Sequence, residues 1–101
     1  MAIKIIYGQV SYNGDIVSGT DFQCSRIAPG IYSIDFTNDF STIPSVTVNA
    51  VDSNTGQNLI RYLAVNVTNN GQATVYSYRK WANNDTTPID AIFNFIAVGE
   101  E

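Results

Sequence analysis

The residues best equipped for chemistry fall between Arg61 and Asp90. Tyr76-Ser77-Tyr78-Arg79-Lys80-Trp81 runs, after Ala82, into Asn83-Asn84-Asp85-Thr86. Arg61 lies near the start of the apolar run that precedes this stretch, in step with Leu59, Leu63, Val65 and Val67. An arginine on an otherwise apolar strand face must reach solvent, a carboxylate or a ligand. Aromatic rings beside guanidinium, amide and carboxylate groups are what sugar recognition needs. The apolar face of a pyranose packs on a ring, and planar polar groups take its hydroxyls in pairs. The candidate ligand-binding set is therefore Arg61, Tyr78, Arg79, Trp81, Asn83 and Asp85. Arg61 and Arg79 would donate, Asn83 and Asp85 would accept, and Trp81 or Tyr78 would supply the stacking face. The competing reading packs Trp81 and the tyrosines on the sheet or on a neighbouring subunit, with Arg79 and Lys80 solvated.

Other chemistries find little support. The chain has no histidine, which removes the usual Ser-His-Asp and Cys-His nucleophile systems and histidine-bearing zinc sites. No phosphate-cradling or dinucleotide glycine pattern occurs. The nine acidic residues stand mostly in polar loops and near the C-terminus, and read as surface charges rather than a glycosidase pair. Asp52-x-Asn54-x-Gly56 resembles the start of a calcium loop but lacks the later glutamate and the standard glycine position, so it reads as a polar turn. The single cysteine, Cys24, shares a strand face with Phe22 and reads as a buried, inert thiol. The expectation is a protein that is not an enzyme and needs neither metal nor cofactor.

Charge narrows the partners. Five basic and nine acidic residues give a net charge of −4. A nucleic-acid partner would require clustered Lys and Arg, and an anionic membrane would require the same. One cysteine forms no intrachain disulfide, which fits folding in a reducing cytoplasm. Met1 to Val10 lacks the apolar core of a signal peptide, and no run reaches membrane-spanning length. The sequons at Asn66 and Asn84 then read as chance matches. The expected location is synthesis in the cytoplasm and action outside the cell or on a virion surface.

The elements that must position these residues are strands. Turn signals recur at Asn13-Gly14, Pro29-Gly30, Thr55-Gly56, Asn70-Gly71 and Asn83-Asn84-Asp85, and the runs between them are rich in Ile, Val, Tyr, Phe and Thr. No helical period stands out. One all-β domain over residues 1–101 follows, an antiparallel β-sandwich of about six to eight strands. The predicted strands are 3–7, 9–12 with 15–18 across a two-residue type I′ turn at Asn13-Gly14, 22–27 with 31–37, 46–51, 59–67, 72–81 and 89–98. Phe22, Tyr32, Ile34, Phe36, Val46, Val48, Leu63, Val65, Phe93 and Phe95 form the expected core. The last strand is apolar at nearly every position, with Asn94 the polar exception. It reads as a central strand whose second face is covered either by another subunit or within the chain.

Several stretches resemble the H-type lectin domain: Gly30-Ile31-Tyr32-Ser33-Ile34-Asp35-Phe36, then Phe40, Pro44 and Val46, Asn58-Leu59 with Arg61, Asn66 to Gly71, Tyr76 to Trp81, and Phe93 to Gly99. The front half, from Gly8-Gln9-Val10 through Asn13 to Gly19, Phe22, Arg26 and Gly30, is similar to small β domains of bacteriophage tail fibres. The lectin resemblance implies a sandwich that trimerises and binds N-acetylgalactosamine-like sugars between subunits. That family's site uses an arginine after the Asn-Leu pair and a Trp-His pair ending the aromatic strand. Arg61 stands one residue later than the family's arginine, Trp81 is offset by about two residues, and no histidine is present. The implied function is a lectin-like surface-recognition module that binds cell-surface glycans multivalently as a homotrimer. The alternative is a structural virion component, a tail or head fibre or decoration protein, that binds other proteins.

Overall fold

Runs of β-branched and aromatic residues between tight turns become strands because their side chains pack well on a pleated surface. The computed structural model describes residues 2–51, 61–80 and 86–101. Its strands are β1 (Ile3–Val10), β2 (Ile16–Gly19), β3 (Phe22–Ala28), β4 (Ile31–Phe36), β5 (Ser45–Val51), β6 (Arg61–Asn69), β7 (Gln72–Lys80), β8 (Thr86–Pro88) and β9 (Ile92–Glu100). One sheet has the order β2-β1-β9-β5; the other is β3-β4-β7-β6, with β8 also paired to β7. Every pairing is antiparallel. The two sheets pack as an antiparallel β-sandwich, as the alternation predicts.

The core is shared between the two inner faces. Ile6, Val10, Phe22, Tyr32, Ile34, Phe36, Val75, Phe93, Phe95 and Ala97 meet there, with Phe40 closing one end. Val46, Val48, Leu63, Val65 and Cys24 pack against this cluster. All ten expected core residues thus lie in it or against it. Phe22 meets Phe95 edge-on with ring centres 4.7 Å apart, and Tyr32 meets Phe93 at 5.1 Å. These contacts tie β3 and β4 to β9 across the sandwich and add to simple area burial. Burial, with Asp35 adding to it, pushes the Cys24 thiol up to about 11, so at neutral pH it is a protonated apolar group.

Three elements differ from the sequence expectation. First, β1 runs unbroken through Gly8. A side chain at Gly8 would collide with the Phe22 ring, 2.5 Å from the position of a Cβ. That glycine makes room for the core and does not end the strand. Secondly, the first hairpin has no two-residue type I′ turn. Ser11 N–H bonds to Asp15 O at 2.8 Å and Gly14 N–H to Ser11 O at 2.9 Å. Gly14 alone in this loop has positive φ, 93°. Asn13 instead accepts the Asp15 N–H through its side-chain oxygen at 3.2 Å, as short amide side chains do in turns. The loop is the longer kind with glycine in the left-handed position. Thirdly, Thr86–Pro88 is a short strand within a stretch the sequence reads as loop.

The central position of β9 is as expected. Phe93, Phe95 and Ala97 are buried inward, while Ile96 and Val98 on the other face are 48% and 39% exposed. Among the described residues that second face is left partly open. The apolar positions continue on β1, where Ile3, Ile5 and Tyr7 are 73%, 59% and 64% exposed.

Candidate functional site

β7 is long enough to outrun its neighbour β4. β4 pairs with it from Gln72 to Tyr76 only. Beyond that point Ser77 N–H bonds to Gly30 O at 2.7 Å, and Ile89 N–H bonds to Ser77 O at 3.1 Å. β8 then takes over the same edge, pairing Tyr78 with Pro88, Arg79 with Thr87 and Lys80 with Thr86. On its other edge β7 pairs with β6, which sets Tyr78 opposite Tyr62 and Arg79 opposite Arg61. The end of the second sheet is thus a three-stranded ledge of β6, β7 and β8.

Alternation divides the predicted residues between two faces. Val75 and Ser77 point into the core, so Arg79 shares the inner parity and Tyr76 and Tyr78 the outer one. Tyr62 and Tyr78 stack with ring centres 5.6 Å apart and planes 19° from parallel. Tyr62 and Tyr76 are each 39% exposed, so this outer surface is an aromatic platform. Arg79 is half-buried. The ladder makes Arg61 and Arg79 direct cross-strand partners. Tyr62 and Tyr76 were not singled out with the predicted set; the register of β6 against β7, which sequence does not print, brings Tyr62 onto Tyr78. Trp81, Asn83 and Asp85 lie outside the described residues, as does the polar turn from Asp52 to Gly56.

A polar cluster fastens the strands beneath this ledge. Arg26 Nε donates to Asp90 Oδ2 at 2.9 Å, and Gly30 N–H donates to Asp90 Oδ1 at 2.8 Å. Tyr32 OH donates to Tyr12 O at 2.7 Å and accepts from Ala91 N–H at 3.1 Å. The cluster joins the first hairpin loop, the β3–β4 turn and the start of β9. Burial acts to raise the Asp90 carboxyl, but the Arg26 guanidinium and the Gly30 N–H outweigh it and hold the group below its ordinary value. Burial pushes the Tyr32 phenol up to about 12. Both groups are engaged by partners inside the protein, so the arrangement ties these segments of the fold together.

A second surface lies on the outer face of the other sheet. Tyr7, Ser18, Thr47, Asn49, Asn94 and Ile96 line a shallow depression of about 300 Å³. Among the described residues no three His, Cys, Asp or Glu side chains gather as a metal site. No helix of the described residues is long and apolar enough to cross a membrane.

Comparison with known proteins finds no matching family model, no similar curated protein and no similar solved structure, so nothing there identifies a lectin or a tail-fibre domain.

Proposed function

We propose that this protein is a non-enzymatic, lectin-like recognition module that binds surface glycans and acts as a homo-oligomer, a trimer by its resemblance to H-type lectins. The observation that carries the reading is the half-exposed Tyr62–Tyr78 stack on the outer face of β6 and β7. Stacked, half-exposed rings give a sugar's apolar face a rigid platform. Arg61 and Arg79 pair on the opposite parity of the same strands, so they would act as paired donors to a glycan long enough to reach around the end of the ledge. Trp81, Asn83 and Asp85 follow β7 directly in sequence and complete the proposed set. A site of this kind is weak alone, and several copies engaging one surface supply the useful affinity.

The test is a glycan array, with binding competed by free sugar, followed by Trp81→Ala and Arg61→Ala proteins checked for intact assembly. Loss of binding in either variant supports the site. Full binding in both moves the site elsewhere.

One observation favours a second reading, a virion component that contacts other proteins. Ile3, Ile5, Tyr7, Ile96 and Val98 expose a continuous apolar stripe, and such stripes mark protein contacts more often than sugar sites. A silent array together with co-purification on phage particles would favour this second reading.

A further inference from the structure

We infer that the outer face of the β2-β1-β9-β5 sheet carries a separate binding site for a neutral sugar, built on Tyr7, Asn49 and Asn94. The inference rests on the glycan-binding reading but concerns the opposite sheet from the tyrosine ledge.

The face is organised by rungs. Asn49 of β5 is the direct partner of Asn94 of β9, which in turn pairs with Gln9 of β1 and through it with Ser18 of β2. The next rung toward the termini is Thr47, Ile96 and Tyr7. Beyond it the surface turns apolar, with Val98 beside Ile5. The depression opens where the amide rung meets the Tyr7 ring. Successive rungs on one face stand about 7 Å apart and neighbouring strands about 5 Å apart. A single ring-sized ligand laid against Tyr7 therefore reaches both amides.

Two facts point to a ligand. The Asn49 and Asn94 side chains make no hydrogen bond among the described residues, although Asn94 is half-buried on a central strand. The amide atoms of Asn94 are not among the buried unpartnered ones, so they reach solvent with donors and acceptor open to a ligand, in a position where a β-branched residue would suit the strand better. The Tyr7 ring beside it is 64% exposed. Two amides side by side each donate and accept, which matches a vicinal pair of hydroxyls. The charge environment fixes the class. No Lys, Arg, Asp or Glu lines the depression, and the chain is net acidic. An anionic sugar has no counter-charge here, and a neutral hexose or N-acetylhexosamine does not need one. Salt screens charge pairs but leaves neutral hydrogen bonds and stacking in place, so binding here is independent of ionic strength, whereas an anionic sugar at the Arg61–Arg79 rung is sensitive to it.

Amide-resolved NMR on the intact protein tests this. Galactose, glucose, mannose and N-acetylglucosamine are titrated to about 100 mM, where a millimolar site is saturated, with N-acetylneuraminic acid as the charged comparison. The expected result is movement of the Asn49 and Asn94 side-chain NH₂ signals with at least one neutral sugar, unchanged by salt. Asn49→Ala and Tyr7→Ala, each with an unchanged strand spectrum, weaken that response about fivefold or more. Sugar-induced shifts confined to β6–β8 overturn this inference and leave the glycan-binding reading standing. No shift with any sugar, here or on an array, overturns both. Asn49 and Asn94 signals that move with protein concentration and not with sugar overturn it in favour of a contact between copies.

Discussion

Asp90 is the side chain on which the most local structure depends. It takes the Gly30 N–H and the Arg26 guanidinium together, at a turn where Gly30 is buried. Asp90→Ala orphans this N–H and should cost about 1–3 kcal/mol of stability, read from urea midpoints. Asp90→Asn retains an acceptor and should cost less. The carboxyl lies below its ordinary value in the folded protein. Its contribution is therefore fully present above the unfolded value near pH 4 and is lost as pH falls through the folded one. Wild type should lose more stability than Asp90→Asn between about pH 5 and about pH 2; parallel curves would show the ion pair to be thermodynamically silent. Ser77 gives the opposite prediction. Its hydroxyl is buried with no partner among the described residues, so Ser77→Ala should leave stability unchanged or raise it by about 1 kcal/mol. Neither role was legible in the sequence. Asp90 stands at the start of the predicted last strand, next to a polar loop, and looks like any solvated edge acid, because its partners are 60 and 64 residues away. Serine within β7 alternates as an inward residue, but sequence does not say that its neighbours leave the hydroxyl without an acceptor.

At the scale of elements the sequence speaks clearly where period two is strong. β3, β4 and β5 fall within a residue or so of expectation, since each has turn chemistry at both ends and one apolar face. Legibility fails where tertiary geometry overrides local chemistry. Gly8 resembles a break but lies under the Phe22 ring. Asn13-Gly14 resembles a type I′ pair, yet only Gly14 adopts positive φ. β8 has no apolar alternation at all and exists because β7 extends past β4 with an unpaired edge to fill. The same limit applies to the candidate site: the aromatic residues of β7 are visible in sequence, but which of them faces Tyr62 depends on register. β9 offers the sharpest test of how an element is used. Ile96 and Phe95 are sequence neighbours on opposite faces, one 48% and the other 1% exposed. Phe95→Ala should destabilise the fold itself by about 3–5 kcal/mol. Ile96→Asp puts a charge where a lone chain has water, so its thermal unfolding should remain cooperative while any assembly through this face is lost. Unfolding of the Ile96→Asp protein to the same extent as Phe95→Ala would mean that the chain folds only when that face is covered.

The whole molecule presents two unlike surfaces, an aromatic ledge on one sheet and a graded face on the other. The graded face runs from exposed Ile3, Ile5 and Val98 to the Asn94–Asn49 rung. A domain of 101 residues buries a smaller share of its chain than a large one, and association recovers part of the difference. The side chains of the apolar stripe together expose on the order of 500 Å², at the upper end of what monomers ordinarily leave open. A stable interface covers about 800 Å² on each partner, so a contact between copies would centre on Ile3, Ile5 and Val98 and continue beyond the stripe, leaving the depression at Tyr7 and Asn94 open. The apolar area supplies the reason to associate; the resemblance to H-type lectins supplies the number three. Light scattering at micromolar concentration should therefore give about three times the 11.1 kDa chain mass, and Ile3→Asp should return it to one. Dilution should lower the avidity for a glycan surface in step with the trimer, because each site alone is weak and the gain comes from sites held together. A wild-type protein that scatters as a monomer at every concentration would end the assembly argument and the multivalent one with it. The Tyr62–Tyr78 ledge and the Asn49–Asn94 rung would then each have to bind as a single site.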